Sequence, residues 1–372
     1  MKNKSGWYLL PWALVVLALL VSTACAPAAQ PSPTVAPKAE TKNEAAPKAT
    51  EGTKAQNSAS APAQAKPAQP YKIRLVVMKG TQMFPIMVME EQGFDKKYGI
   101  VLDKKEATSP DAVNIALRSN DVDVSLNGWM EAAKFRAQGV KIINTYPLSK
   151  FVNAVLVKKD SPLKSYDEIK GKNFGSFYNP STVTSGILRV ASSKYFGFDP
   201  YTTTQVRQGA KPLLLGLLDK GDLDAIYLGE PDISAAMATG NYRELLTIKN
   251  IYQTKANGAP VPLQLVVQAQ EDFAVKNPAA MKAFNEALQD SILYLKGNAS
   301  IWPKLAKQIG IEDPKAVDLL RESLSDAYYG KPWDKKFIDD AVQFGKEFRK
   351  VAGPDVLPDT DYSESFSMKY LP

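Results

Sequence analysis

From about residue 71 the chain alternates short apolar runs with amphipathic ones. The run "KIRLVVM" (72–78) is the length and composition of a strand. "FPIMVMEEQGF" (84–94) reads as a helix, with Pro85 in its first turn and Gly93 closing it. "PDAVNIALRSN" predicts a further helix, "DVDVSL" a strand, and "VKIINTY", "FVNAVLVKK" and "NFGSF" three more strands. Alternating β and α segments predict an α/β architecture with mainly parallel pairing.

Two patterns recur about 100 residues apart. Strand, loop, helix and Gly-Phe appear as "IRLVVMKGTQMFPIMVMEEQGF" and as "NFGSFYNPSTVTSGILRVASSKYFGF". Helix, turn, Asp-x-Asp, strand and Gly appear as "ALRSNDVDVSLNGW" and as "LLDKGDLDAIYLGEP". The repetition predicts two α/β lobes built on similar lines. The Asp-x-Asp pairs read as strand starts rather than as metal ligands. Asp121 and Asp222 follow the turn residues Asn120 and Gly221, and alternation sends Asp123 to the face opposite Val122 and Val124.

In open α/β sheets ligands collect beyond the carboxyl ends of the strands. Those ends are "KGTQMF", "LNGW", "FYNPSTVT" and "YLGEP". Thr81, Gln82, Phe84, Asn127 and Trp129 become candidate ligand contacts in the first lobe, and Asn153, Tyr178, Ser181, Thr182, Tyr227 and Glu230 at the second. Two of the loops precede helices, whose free N–H groups and positive ends face the same space. Trp129, Tyr178 and Tyr227 could supply flat apolar walls. Ser181 and Thr81 equally suit helix caps, and Trp129 equally suits a core position.

Composition narrows the chemistry. The chain has 372 residues, no histidine and one cysteine, Cys25. Ser-His-Asp and Cys-His catalysis and Cys/His zinc sites are excluded. The formal net charge of +7 contains no basic block, so nucleic acid is not an expected partner. No Walker-type loop, EF-hand or G-x-G-x-x-G is present, and no cofactor or metal is implied.

The first 24 residues have a basic start, an apolar stretch and a small-residue end, the pattern of a secretory signal. Small residues directly before Cys25 resemble the lipobox of bacterial lipoproteins, in which the thiol carries the lipid. Ser22 departs from that pattern, where a large aliphatic is usual. An ordinary cleavage site at Ala24-Cys25-Ala26 and an uncut anchor are the alternatives. Residues 25–70 are rich in Ala, Pro, Lys, Thr and Ser and predict a disordered tether.

Several stretches together resemble extracytoplasmic solute-binding proteins of ABC importers: "MEEQGFDKKYGIVLD", "ALRSNDVDVSL", "SYDEIKGKNFG" and "LLLGLLDKGDLDAIYLGEP". The similar group is the NMT1/THI5-like one, whose members bind thiamine precursors, sulfonates, nitrate or taurine, and the resemblance runs from about Ile73 to Phe273. It implies a type II periplasmic-binding-protein fold: two α/β lobes, a ligand cleft and two interlobe strands, near 151–157 and 262–268. Lobe one would be 71–155 plus 263–372, its C-terminal helices packing back on it, and lobe two 156–262. The implied protein is a monomeric, lipid-anchored receptor on the outer face of the cell membrane. It would pass a small solute to an ABC permease. A pyrimidine- or flavin-like heterocycle is slightly favoured through Glu230, which would disfavour a small anion if it faces the cleft. An alkanesulfonate, taurine or nitrate is the alternative ligand, and a sensor without transport the alternative role. THI5-like pyrimidine synthases share the fold but consume an active-site histidine, which this chain lacks; an enzyme is not expected.

Overall fold

The computed structural model describes residues 69–372. The signal segment, Cys25 and the tether as far as residue 68 lie outside the described residues. β1 (Tyr71–Met78) is the first apolar run, with Ile73, Leu75 and Val77 buried on one face and Val76 on the other. A strand apolar on both faces needs helices on both, and it has them. α1 (Phe84–Glu91) and α2 (Phe94–Lys97) follow, separated by Gly93 at φ 71°, a left-handed turn that glycine takes without strain. β2 (Ile100–Ala107), α3 (Pro110–Arg118), β3 (Val124–Gly128), α4 (Trp129–Ala137) and β4 (Ile142–Lys150) continue the alternation.

The chain then passes to a second sheet. Its elements are β5 (Asn153–Lys158), β6 (Asn173–Ser176), α5 (Val183–Phe196), α6 (Pro200–Thr203), β7 (Gln205–Gln208), α7 (Lys211–Lys220), β8 (Ala225–Gly229), α8 (Asp232–Ala238), β9 (Tyr242–Thr247) and α9 (Ile248–Thr254). It returns through β10 (Leu263–Gln270). Five helices close the chain: α10 (Glu271–Lys276), α11 (Pro278–Gly297), α12 (Trp302–Gln308), α13 (Pro314–Ala327) and α14 (Lys335–Ala352).

The sheet orders are β2-β1-β3-β10-β4 and β7-β6-β8-β5-β9, so the two lobes repeat one topology. The repeat extends to single hydrogen bonds. Asp123 Oδ2 accepts from the Arg74 backbone N–H at 2.9 Å, and Asp224 Oδ2 accepts from the Asn173 N–H at 2.9 Å. In each Asp-x-Asp the second carboxylate ties its strand's start to the parallel neighbour. Asn120 and Gly221, both at positive φ, make the turn before each pair.

Pairing is not mainly parallel. β1 pairs parallel with β2 and β3, and β6 with β7 and β8, while β10 and β5 run antiparallel to both of their neighbours. Each crossing delivers the chain to the cleft side of the new sheet. A strand starting there must run against those that end there.

The crossings are not interlobe strands either. β5 pairs within the second sheet from Asn153 onward, and β10 within the first from Leu263 onward. The passages are residues 151–152 and 255–262. Between two sheets a strand has no ladder partner for its backbone groups, so the chain crosses in short connections. Residues 153–155 accordingly pair with lobe two.

The C-terminal helices divide their packing. α11, α12 and α13 share the core of lobe one with β1, β3 and α1. α14 lies on α5 of lobe two, through Ile338, Ala341, Phe344 and Phe348.

Candidate functional site

The carboxyl ends of β4 and β8, the start of β5 and the end of β9 meet where the lobes face each other, with Asn153 opposite Gly229 and Ala154 opposite Thr247. A cavity of about 350 Å³ lies there. Lobe two contributes Asn153, Glu230, Ile233, Glu244 and Thr247, the end of β4 Lys150, and the first crossing Phe151 and Val152. α13 contributes Leu319, Glu322, Ser323 and Asp326 from lobe one.

Asn153 is 4% exposed. Its Nδ2 donates to Leu228 O at 3.3 Å and to the Tyr178 hydroxyl at 3.4 Å, and its buried Oδ1 has no partner. The Tyr178 ring stands edge-on to Tyr227, centroids 5.6 Å apart. A side chain at Gly229 would collide with the Tyr178 hydroxyl, 2.4 Å from a Cβ built there. Burial pushes the Tyr178 phenol well above its ordinary range.

Glu230 follows Gly229 and caps α8. Its carboxylate accepts from Ser234 N at 3.2 Å and Ser234 Oγ at 2.9 Å. Burial raises the Glu230 carboxyl to about 6, with the charge of Asp232 adding to the rise and hydrogen bonds from Ser234 and Ser323 opposing it. The carboxyl of Glu244, also in the lining, is raised by burial as well. Of the lysines lining the space, Lys249 pairs with Asp326 at 3.1 Å and Lys150 donates to Asp326 O at 3.2 Å. The acceptors among the lining side chains include the Glu230 and Glu244 carboxylates.

The candidates read from sequence fall in different places. Asn153 and Glu230 line the cavity, and Tyr178, outside that lining, meets Asn153 through its hydroxyl. Ser181 and Thr182 shape the loop before α5: Ser181 Oγ donates to Asn179 Oδ1 at 2.8 Å, and Thr182 caps the helix by accepting from Ser185 N at 3.2 Å. Phe84, Trp129 and Tyr227 are fully buried core residues. Phe84 packs edge-on against Trp302 at 5.9 Å, Trp129 lies between Tyr362 and Phe366, and Tyr227 donates to Thr184 O at 2.9 Å. The wall suggested by Trp129 is thus a core contact. Among the rest, Thr81 O accepts from the Tyr328 hydroxyl at 2.6 Å, Gln82 has a buried Oε1 without a partner, and Asn127 donates to Asn114 at 2.9 Å.

Sequence reasoning missed Ser323 and Asp326, which reach the site from about 90 residues beyond Glu230. Their one signal is a stripe at helical spacing, Lys315, Leu319, Ser323 and Asp326, which in isolation reads as one face of an amphipathic helix.

Residues 80–299 match the family model described as NMT1/THI5 like. The taurine-binding periplasmic protein of Escherichia coli (strain K12) is 26% identical over 319 residues, covering 82% of this chain and 94% of that protein. The 4-amino-5-hydroxymethyl-2-methylpyrimidine phosphate synthase of Schizosaccharomyces pombe is 23% identical over 220 residues, 56% of this chain and 60% of the synthase. The solved periplasmic aliphatic sulphonate binding protein of Escherichia coli superposes with a TM-score of 0.65 at 19% identity, over 80% of this chain and 92% of that one. At that identity the likeness bears on the fold, and the two-lobed architecture is that of periplasmic binding proteins. The family model spans more than half of the 372 residues, and the chain belongs to the NMT1/THI5 like family.

Proposed function

We propose that the chain is a solute-binding protein that holds a small organic molecule between its lobes and delivers it to an ABC permease. The observation that carries this reading is the cavity walled by both lobes, with the carboxylates of Glu230 and Glu244 in its lining. With the Glu230 and Glu244 carboxylates both able to accept, the reading favours a solute bearing an amino or ammonium group over an oxyanion that can only accept. An aminosulfonate such as taurine and an aminopyrimidine both meet that condition. Trp129 and Tyr227 lie in the core and Tyr178 is outside the cavity's lining, which weakens the heterocycle relative to the compact amine. A binding role also agrees with the absence of histidine from the chain.

The experiment is thermal denaturation of the full chain with taurine, an aminopyrimidine, hexanesulfonate and nitrate. A ligand at one hundred times its Kd adds about 2.7 kcal/mol of stability. Stabilisation by taurine or the pyrimidine alone is the expected result. Stabilisation by nitrate and hexanesulfonate alone would reverse the ligand class, and no response to any would remove this solute set. Attachment through Cys25 is part of the same proposal: Cys25→Ser should move the expressed protein out of the membrane fraction, and unchanged fractionation would exclude the lipid anchor.

A further inference from the structure

The cavity between the lobes carries an unbalanced set of charges. Four carboxylates line it, Glu230 and Glu244 of lobe two and Glu322 and Asp326 of α13, against two lysines, Lys150 and Lys249. The carboxylates on α13 have basic partners: Asp326 pairs with Lys249 at 3.1 Å, and Glu322 with Arg321 at 3.9 Å. Glu230 and Glu244 differ from them; among the described residues no Lys or Arg forms an ion pair with either. Neutral donors hold the Glu230 carboxylate: Ser234 N–H at 3.2 Å, Ser234 Oγ at 2.9 Å and the Ser323 hydroxyl. The two residues flank β5, since Glu230 follows Gly229, which faces Asn153, and Glu244 faces Leu156. Burial raises both carboxyls, whereas a cation beside a carboxylate draws it down.

The donors that an anionic group would need are engaged elsewhere. Lys249 is on Asp326, and Lys150 Nζ donates to Asp326 O at 3.2 Å, at the carbonyl end of α13. Lys296 serves the same helix end, donating to Tyr328 O at 3.0 Å. The Ser234 N–H of α8 goes to Glu230, and the Asn250 N–H of α9 goes to Thr247 Oγ1 at 2.9 Å. A sulfonate in this space would have to displace one of these partners and then lie beside carboxylates. An ammonium would instead supply the counter-charge that Glu230 and Glu244 lack.

We propose that the solute is a small organic cation without an acidic group, its ammonium or amidinium held by the Glu230 and Glu244 carboxylates. The inference rests on the cavity being the ligand site and narrows the solute class taken there. A zwitterion such as taurine brings the same ammonium but sets its sulfonate against an acidic lining, and so binds more weakly than the matching cation.

The test is titration calorimetry of the full chain at neutral pH with three solutes on one two-carbon skeleton: 2-aminoethanol as the cation, taurine as the zwitterion and ethanesulfonate as the anion. 2-Aminoethanol should bind at least about tenfold more tightly than taurine, the scale of one charge-assisted hydrogen bond, and ethanesulfonate should not bind. Glu230→Gln and Glu244→Gln keep the shape and remove the charge, and each should cut the preference for the cation over taurine by about fivefold or more. Taurine binding as tightly as 2-aminoethanol, with ethanesulfonate excluded, would overturn the cation and leave an amine-bearing solute standing. Binding of ethanesulfonate alone would overturn both. No binding of 2-aminoethanol would overturn the inference whatever the other two do, and an unchanged preference in both variants would take Glu230 and Glu244 off the solute.

Discussion

The ring of Phe348 occupies the space that a side chain at residue 186 would need: a Cβ built on Gly186 lies 1.9 Å from Phe348 Cε2. α5 and α14 approach each other this closely because residue 186 has no side chain. Gly186→Ala should therefore destabilise the protein by about 1–3 kcal/mol through overpacking, although alanine is the better helix former by about 1 kcal/mol. The midpoint of urea unfolding reports it. The double variant Gly186→Ala with Phe348→Leu should lose less than the sum of its parts, since the second change makes room for the first. Strict additivity would mean that the two residues do not compete for space.

Trp129 separates stability from binding. It is fully buried against Tyr362 and Phe366, so Trp129→Ala should cost about 3–5 kcal/mol of stability. Calorimetry on the folded variant, well below its lowered Tm, should find ligand affinity within a few-fold of the parent. A large loss of affinity with little loss of stability would return Trp129 to the ligand site.

Glu230 should leave a pH signature. Folding raises its carboxyl from 4.5 to about 6, so the folded state holds this proton more tightly than the unfolded chain. The stabilisation is complete below about pH 4.5 and is lost as the pH rises through about 6. At neutrality the buried charge then costs on the order of 2 kcal/mol. Glu230→Gln keeps the shape without the charge. It should be more stable than the parent at pH 7, by about 1–2 kcal/mol, and the gap should close near pH 4. A gap independent of pH would assign the effect to another group.

Within the proposed site, Asn153 should matter more than the Tyr178 hydroxyl. Asn153→Ala removes the buried amide and should weaken binding by about 1–3 kcal/mol. The Tyr178 hydroxyl meets Asn153 at 3.4 Å, a long contact, and Tyr178→Phe should cost less than about 1 kcal/mol. Titration calorimetry with the solute found by denaturation compares them. Equal losses would place the phenol itself on the ligand.

The sequence by itself determined the local units. The spacing of Val, Ile and Leu in "KIRLVVM" made a strand, Pro85 and Gly93 bounded a helix, and the repeated Asp-x-Asp turns announced two lobes of one design. Each rests on contacts within a few residues, where side-chain type and backbone preference act directly. The loops at strand ends were legible for the same reason. What only the tertiary structure decided was which side of each element faces what. Trp129 and Tyr178 are both aromatic residues at strand ends, yet one is sealed by α14 and the C-terminal segment while the other stands against Asn153 and Tyr227. Ser323 and Asp326 join the site because α13 folds across from lobe one. Antiparallel β5 and β10 follow from where the chain crosses between sheets. Such choices depend on contacts between residues tens to hundreds of positions apart, and no local pattern of apolar and polar residues encodes which distant surface will cover a given side chain.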